Sequence, residues 1–199
     1  MKVGQRREHP FTLNHRDTLG GTIGQNGVMR TLTIVRHCES SPAEGAQPDF
    51  DRTLSERGRR QCEQLREWAS DPNELGRFGP ATALVSAAAR TRETFVRSFE
   101  GTALVGRHEF SELIYNGHRE VTGEDLLSEL AALDPVTTSL LIVAHNPSVL
   151  ELALDLCAKP PRRLVEGHFK VGAAYVLALR DDEPIGRGPY ELVAKYRPD

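Results

Sequence analysis

A three-layer α/β/α sandwich, built on a mostly parallel sheet with an antiparallel edge, is the fold class this sequence predicts. Three observations point to it. From Met29 onward, short β-branched or aliphatic runs alternate with longer segments of helical periodicity, the order expected of βαβ units. Helix-start signals follow several of those runs. The last two runs flank "RDDEPIGRGP" (180–189), whose Gly and Pro content suits a long antiparallel hairpin at a sheet edge.

Taken in order, strands are expected at 31–35, 83–85, 103–107, 140–144, 173–179 and 191–196. Between the first two, Ser55 can cap a helix in which Cys62, Leu65 and Ala69 recur at helical spacing. Thr122 and Asp125 form a capping-box-like pair ahead of Leu126, Leu130 and Leu133. In "HNPSVLELALDLC", Asn146 suits the N-cap and Pro147 the first helical position, where a missing N–H costs nothing. Residues 1–29 are rich in Gly, Asn, Arg and His and lack the apolar core of a secretory signal, so they are expected to be a mobile extension before one domain at 30–199. Glu8, Asp17 and poor helical periodicity argue against an organelle-targeting peptide there.

Composition narrows the function. A chain of 199 residues supports one substantial core. A net charge of −3 gives no footprint for a polyphosphate backbone, so nucleic acid is a poor partner. No apolar run approaches the roughly 18 residues of a membrane span; stretches such as "LLIVA" at 140–144 are far shorter. Three scattered cysteines, Cys38, Cys62 and Cys157, offer neither a CxxC pair nor metal-ligand spacing, and they suit a reducing, cytoplasmic compartment.

The chemistry gathers at strand ends. Arg36 and His37 follow the first strand, Ser86 to Arg90 follow the second, and His145 with Asn146 follow "LLIVA". Ligands of open α/β sheets bind outside the carboxyl ends of the strands, so these junctions can converge although they are distant in sequence. Free N–H groups at helix starts favour an anion there. Ser86 and Arg90 are four residues apart, and a helical side chain leans toward the N-terminus, so Arg90 reaches back to the strand end. A forked guanidinium matches phosphate oxygens, which makes phosphate the expected ligand.

The stretches "LTIVRHCES", "DFDRTLSERGRRQ", "LVSAAARTRET" and "LLIVAHNPSVLEL" together resemble successive motifs of the histidine phosphatase superfamily, with its phosphoglycerate mutase-like fold, and in particular its small SixA-type phosphohistidine phosphatases. The resemblance covers roughly residues 31–180. It departs at Cys38, where Gly or Ala is usual, and at Ala87, where Pro is frequent. It implies a hydrolase that needs no metal or cofactor and acts on a phosphorylated protein or a small phosphorylated substrate. His37 would be the nucleophile, with Arg36, Arg90 and His145 holding the phosphoryl oxygens and Asn146 and Ser40 completing the cradle. A histidine nucleophile needs an unprotonated ring nitrogen, and neighbouring arginines disfavour the imidazolium.

The acid that protonates the leaving group in many relatives has no obvious counterpart, because "SELIYNG" places Tyr115 where Glu or Asp is usual. Glu112 is the nearest carboxylate and the expected donor; Glu109 and His118 are further candidates. That departure favours a phosphohistidine substrate, whose leaving group needs a proton less than an alkoxide does. Small-molecule phosphatase, phosphoglycerate mutase-like enzyme and catalytically silent phosphate-binding module remain alternatives.

Blander readings stand beside these. Arg90 has a second reading as a surface residue paired with Glu93, His145 as a histidine capping the sheet, and Ser40 as a turn residue. Asp51, Arg57, Arg59 and Arg60 read as a solvated helix face. Arg162, Arg163 and His168 read as an exposed loop or as substrate contacts. A Cys38 thiolate nucleophile is disfavoured, since no arginine-closed loop follows it.

Overall fold

The computed structural model describes residues 29–117, 119–133, 136, 139–180 and 183–198. The expected extension therefore lies outside the described residues except for Met29, which packs half-buried against the core. Strand β1 (Thr31–Arg36) leads through a 3-10 turn at Asp49–Asp51 to helix α1 (Glu56–Ser70). Strand β2 (Ala81–Ser86), helix α2 (Ala89–Ser98) and strand β3 (Val105–Ser111) follow. Helix α3 (Gly123–Leu133), strand β4 (Ser139–Ala144), helix α4 (Ser148–Leu156) and the short helix α5 (Arg162–Val165) precede the closing strands β5 (Ala174–Ala178) and β6 (Glu191–Tyr196).

The sheet order is β3-β2-β4-β1-β5-β6. Pairings among the first four are parallel, and β5 and β6 join antiparallel, which is the expected mixed sheet with an antiparallel edge. Period-two alternation divides the apolar side chains between two faces. Leu32, Ile34, Leu140 and Ile142 face α3, α4 and α5 through Leu126, Leu130, Val149, Leu152 and Leu164. Val35, Val85, Leu141 and Val143 face α1 and α2 through Cys62, Leu65, Phe95 and Phe99. Among the described residues, no helix is long and apolar enough to cross a membrane.

Several strand ends differ by a residue or two from the sequence expectation, β2 spanning Ala81–Ser86 rather than 83–85, and two differences have a structural reason. Strand β3 begins at Val105 rather than 103 and runs on to Ser111. It is an edge strand with a mostly exposed polar face, so its apolar run ends before its ladder does. Asn146 does not cap α4: a cis Asn146–Pro147 peptide precedes the helix, and Pro147 occupies the cap position. The His145 carbonyl instead receives the Val149 N–H at 3.0 Å and the Ser148 hydroxyl at 2.9 Å.

Helix α1 is locked to the segment after His37. Ser55 Oγ accepts the Gly58 N–H as an N-cap, and the same hydroxyl donates to Glu39 Oε1 at 2.9 Å. The Glu39 carbonyl accepts the Ser55 N–H at 3.0 Å, while its N–H donates to Gln61 Oε1 at 2.9 Å. Gly58 permits this approach, because a Cβ there would collide with the Glu39 carbonyl oxygen. Gly58→Ala should therefore destabilise the fold by about 1–3 kcal/mol, as overpacked sites do. Chemical unfolding checks this, and a variant as stable as the wild type would contradict the close approach.

Candidate active site

Three strand ends meet because β1 and β2 each lie parallel beside β4. Arg36 pairs with Ala144 in register, and the next N–H, that of His37, donates to the Ala144 carbonyl at 3.1 Å. His37 and His145 thus leave neighbouring strands side by side, their ring centroids 5.1 Å apart. From the other flank, Ser86 at the end of β2 meets His145 Nε2 through its Oγ at 2.8 Å. Gly172, at φ +71°, brings its N–H to the carbonyls of Arg36 and His37 and fixes the turn of the chain away from β1.

The cleft at this convergence has a volume of about 360 Å³ and is lined by Arg36, His37, Glu39, Ser40, Asp49, Arg52, Arg90, Asn116, His145, Asn146 and Val171. Its cations are anchored at their outer edges. Arg36 Nη1 donates to the Phe169 carbonyl at 2.6 Å. Arg90, from α2, donates through Nη1 to the Asp49 carbonyl at 2.7 Å and through Nη2 to Asp49 Oδ2 at 2.9 Å. Among the described residues, the donors Arg36 Nε and Arg90 Nε, the ring nitrogen His145 Nδ1 and the acceptor Asn146 Oδ1 are buried without a hydrogen-bond partner, so nitrogens outnumber the one oxygen. Buried polar groups are ordinarily satisfied, and these belong to residues around one cleft, so the arrangement suits an oxygen-rich anion.

The protonation state of His37 follows from its surroundings. Its Nδ1 lies 2.6 Å from the Cys38 carbonyl, which can only accept, so Nδ1 carries the proton and Nε2 keeps its lone pair. Burial, with the charges of Arg90, Arg36 and Arg52, pushes the His37 pKa down from 6.5 to about 3, against the opposing pull of the Cys38 bond. Burial likewise lowers His145 to about 2, helped by His37 and Arg90. The Cys38 thiol is pushed upward by its contact with Cys62 and by burial, so a thiolate there is disfavoured.

The structure brings together Arg36, His37, Ser40, Arg90, His145 and Asn146. Arg90 is paired with Asp49 rather than Glu93, which instead binds Arg59 and Arg97. The expected proton donor Glu112 needs correction: it is exposed and does not line the cleft. It occupies the outer side of the turn after β3, where its carbonyl accepts the Tyr115 N–H. Glu109 is exposed on the edge strand, and His118 lies outside the described residues. The carboxylates that line the cleft are Glu39 and Asp49, and the Tyr115 hydroxyl donates to Asp49 Oδ2 at 2.9 Å. Asp49 and Arg52 escaped sequence reading because "DFDR" merges into the charged helix that follows, although Ser55 already marks the helix start. Arg162, Arg163 and His168 are exposed; their segment reaches the cleft through the Phe169 carbonyl and Val171. Among the described residues, no group of three or more His, Cys, Asp or Glu side chains could hold a metal ion.

Residues 32–132 match the histidine phosphatase superfamily (branch 1). No curated protein matches the chain. Among solved structures, a candidate phosphohistidine phosphatase SixA from Nakamurella multipartitia is similar at 23% identity and TM-score 0.66, over 85% of this chain and 96% of that one. A counterpart from Agrobacterium tumefaciens is similar at 24% identity and TM-score 0.65, over 85% and 99%. The protein histidine phosphatase SixA complexed with tungstate is similar at 21% identity and TM-score 0.62, over 83% and 95%.

Both histidines stay neutral in the folded protein but titrate near pH 6.5 when unfolded, so the stability they contribute is present above that pH and is lost as pH falls toward 3. In phosphate-free buffer at pH 5, nitrogen NMR of the imidazoles should show His37 neutral and protonated on Nδ1. An imidazolium signal for His37 at that pH would contradict the geometry.

Proposed function

Because the chain belongs to the histidine phosphatase superfamily (branch 1), we propose that it is a phosphatase working through a phosphohistidine intermediate on His37, with protein phosphohistidine as its substrate. The observation that carries the reading is the Nδ1–H bond of His37 to the Cys38 carbonyl, which leaves an unprotonated Nε2 in a cleft walled by Arg36 and Arg90.

In the first step, Nε2 donates its lone pair to phosphorus while the bond to the leaving group breaks. Arg36, Arg90 and His145 hold the phosphoryl oxygens, and Asn146 and Ser40 frame the group at its rim. The guanidinium groups neutralise charge that spreads over the equatorial oxygens during transfer. Water then attacks phosphorus, the N–P bond breaks, and His37 leaves as a neutral imidazole because Nδ1 kept its proton. The water's proton passes to the released phosphate. Arg90, clamped twice by Asp49, needs little reorganisation during this sequence.

Substrate choice rests on the leaving group. Tyr115, standing where relatives carry an acid, points its hydroxyl proton at Asp49. Its pKa is raised by burial and by the Asp49 bond, which makes it a reluctant donor. The carboxylates of the cleft are themselves engaged as acceptors, Asp49 by Arg52, Arg90 and Tyr115 and Glu39 by Ser55 and Arg57, an arrangement that disfavours alkyl esters and favours leaving groups that depart without collecting a proton.

Incubation with a radioactive phosphodonor followed by acid and base quenching should reveal an acid-labile, base-stable adduct that maps to His37. His37→Ala should lose turnover by roughly 10⁴-fold or more with little effect on folding, while Arg90→Ala should weaken phosphate binding and lower the rate by about 10²-fold. Turnover of a phosphohistidine protein should exceed that of sugar phosphates. Preference for sugars would move the substrate to small esters, and oxyanion binding without labelling would identify a silent phosphate-binding module.

A further inference from the structure

Asp49 is a cleft residue that the two-step transfer leaves without a direct part, yet it is among the most firmly held. Its Oδ1 accepts Arg52 Nε at 2.9 Å, and its Oδ2 accepts both Arg90 Nη2 at 2.9 Å and the Tyr115 hydroxyl at 2.9 Å. A carboxylate offers about four acceptor positions, so these three donors leave one. The side chain is about half exposed at 54%, whereas its partner Arg90 is sealed at 7%. Asp49 therefore presents an oriented anion to whatever enters the cleft. Burial alone would raise its pKa, but the Tyr115 bond and Arg90 outweigh that and keep it below the ordinary carboxylate range.

The nucleophile supplies a template for what such an acceptor does. His37 can leave phosphorus as a neutral ring because its distal N–H is held by an acceptor, the Cys38 carbonyl. A phosphorylated imidazole on a substrate has the same requirement on its own distal nitrogen. We propose that Asp49 is the specificity-determining residue of the cleft, its carboxylate accepting the distal ring N–H of a phosphoimidazole substrate and so favouring that leaving group over phosphate esters. This rests on the phosphoryl transfer to His37 argued above.

The step balances without an external acid. The substrate ring enters with its distal nitrogen protonated and bonded to Asp49. The His37 Nε2 lone pair forms the new N–P bond, the old N–P bond breaks, and its electron pair returns to the departing ring nitrogen. The distal N–H stays in place, so a neutral imidazole leaves. An alkyl ester gains nothing from Asp49, because an anion offers no proton to a departing alkoxide. Asp49 also repels a second anionic group on the substrate, which disfavours carboxylated or doubly phosphorylated small molecules.

The test compares phosphoimidazole with p-nitrophenyl phosphate, an activated ester that has no N–H to offer and needs no proton on departure. Asp49→Asn loosens Arg90 and so should slow both substrates, but the loss in kcat/KM on phosphoimidazole should exceed the loss on the ester by about tenfold or more, the scale of one hydrogen bond to a charged group. The alkaline limb of the phosphoimidazole pH profile should move down by about one unit, because the ring loses the anion that keeps its distal nitrogen protonated, and the ester profile should not follow. Tyr115→Phe removes a donor that competes for Asp49 but keeps the carboxylate, so it should retain the preference for phosphoimidazole that Asp49→Asn loses. Equal losses on both substrates, or an unmoved alkaline limb, would reduce Asp49 to a support for Arg90 and overturn the proposal. A wild type that labels His37 from the ester but ignores phosphoimidazole would overturn it while leaving the transfer chemistry intact. Turnover of neither substrate, without His37 labelling, would overturn both.

Discussion

The parallel register of β1 on β4 is the constraint from which the site follows. With Arg36 opposite Ala144 and the His37 N–H on the Ala144 carbonyl, the two histidines leave adjacent strands at the same level. A slip of one residue would turn every side chain of β1 to the opposite face, exposing Leu32 and Ile34 to the wrong layer and carrying His37 away from His145. The register is held by the core itself, since Leu32 and Ile34 share one apolar layer with Leu140 and Ile142 while Val35 joins Leu141 and Val143 in the other.

That core must also offset the cost of the site. Burying arginines near two histidines is unfavourable, and each buried donor left without a partner costs roughly 1–3 kcal/mol. The molecule limits this cost by neutralising the imidazoles and by tying the outer edges of the guanidinium groups to the Phe169 carbonyl and to Asp49. The nitrogens left unsatisfied, Arg36 Nε, Arg90 Nε and His145 Nδ1, belong to residues that line one cleft, which favours an anion there. Preorganisation of this kind is what a phosphoryl-transfer site needs, because the chemistry asks for positioned charge more than for covalent machinery.

Much of this was legible in the sequence because its signals are local. The alternating layers announce themselves in "LTIV" and "LLIVA", the N-cap in Ser55, and the capping box in the Thr122–Asp125 pair, whose N–H and side-chain bonds are reciprocal. The Arg36–His37 and His145 junctions were legible because strand ends in this fold class converge. What escaped depends on tertiary placement. Glu112 and Tyr115 are three residues apart on one turn, and no local pattern says that the tyrosine faces Asp49 while the glutamate faces solvent. Asp49 lies 41 positions from Arg90, in a charged stretch that reads as a solvated surface until the fold brings the two together. Edge strand β3 was misjudged at both ends because its polar, exposed side chains carry no apolar alternation.

The most direct measurement is a crystal structure of the intact protein soaked with vanadate or tungstate, oxyanions that stand in for the transferring phosphoryl group. The metal of the oxyanion should lie within bonding reach of His37 Nε2, with its oxygens on Arg36, Arg90 and His145 and the His37 Nδ1 bond to the Cys38 carbonyl unbroken. An oxyanion seated elsewhere, or one held in the cleft with Nε2 turned away from it, would contradict the assignment of His37 as the nucleophile.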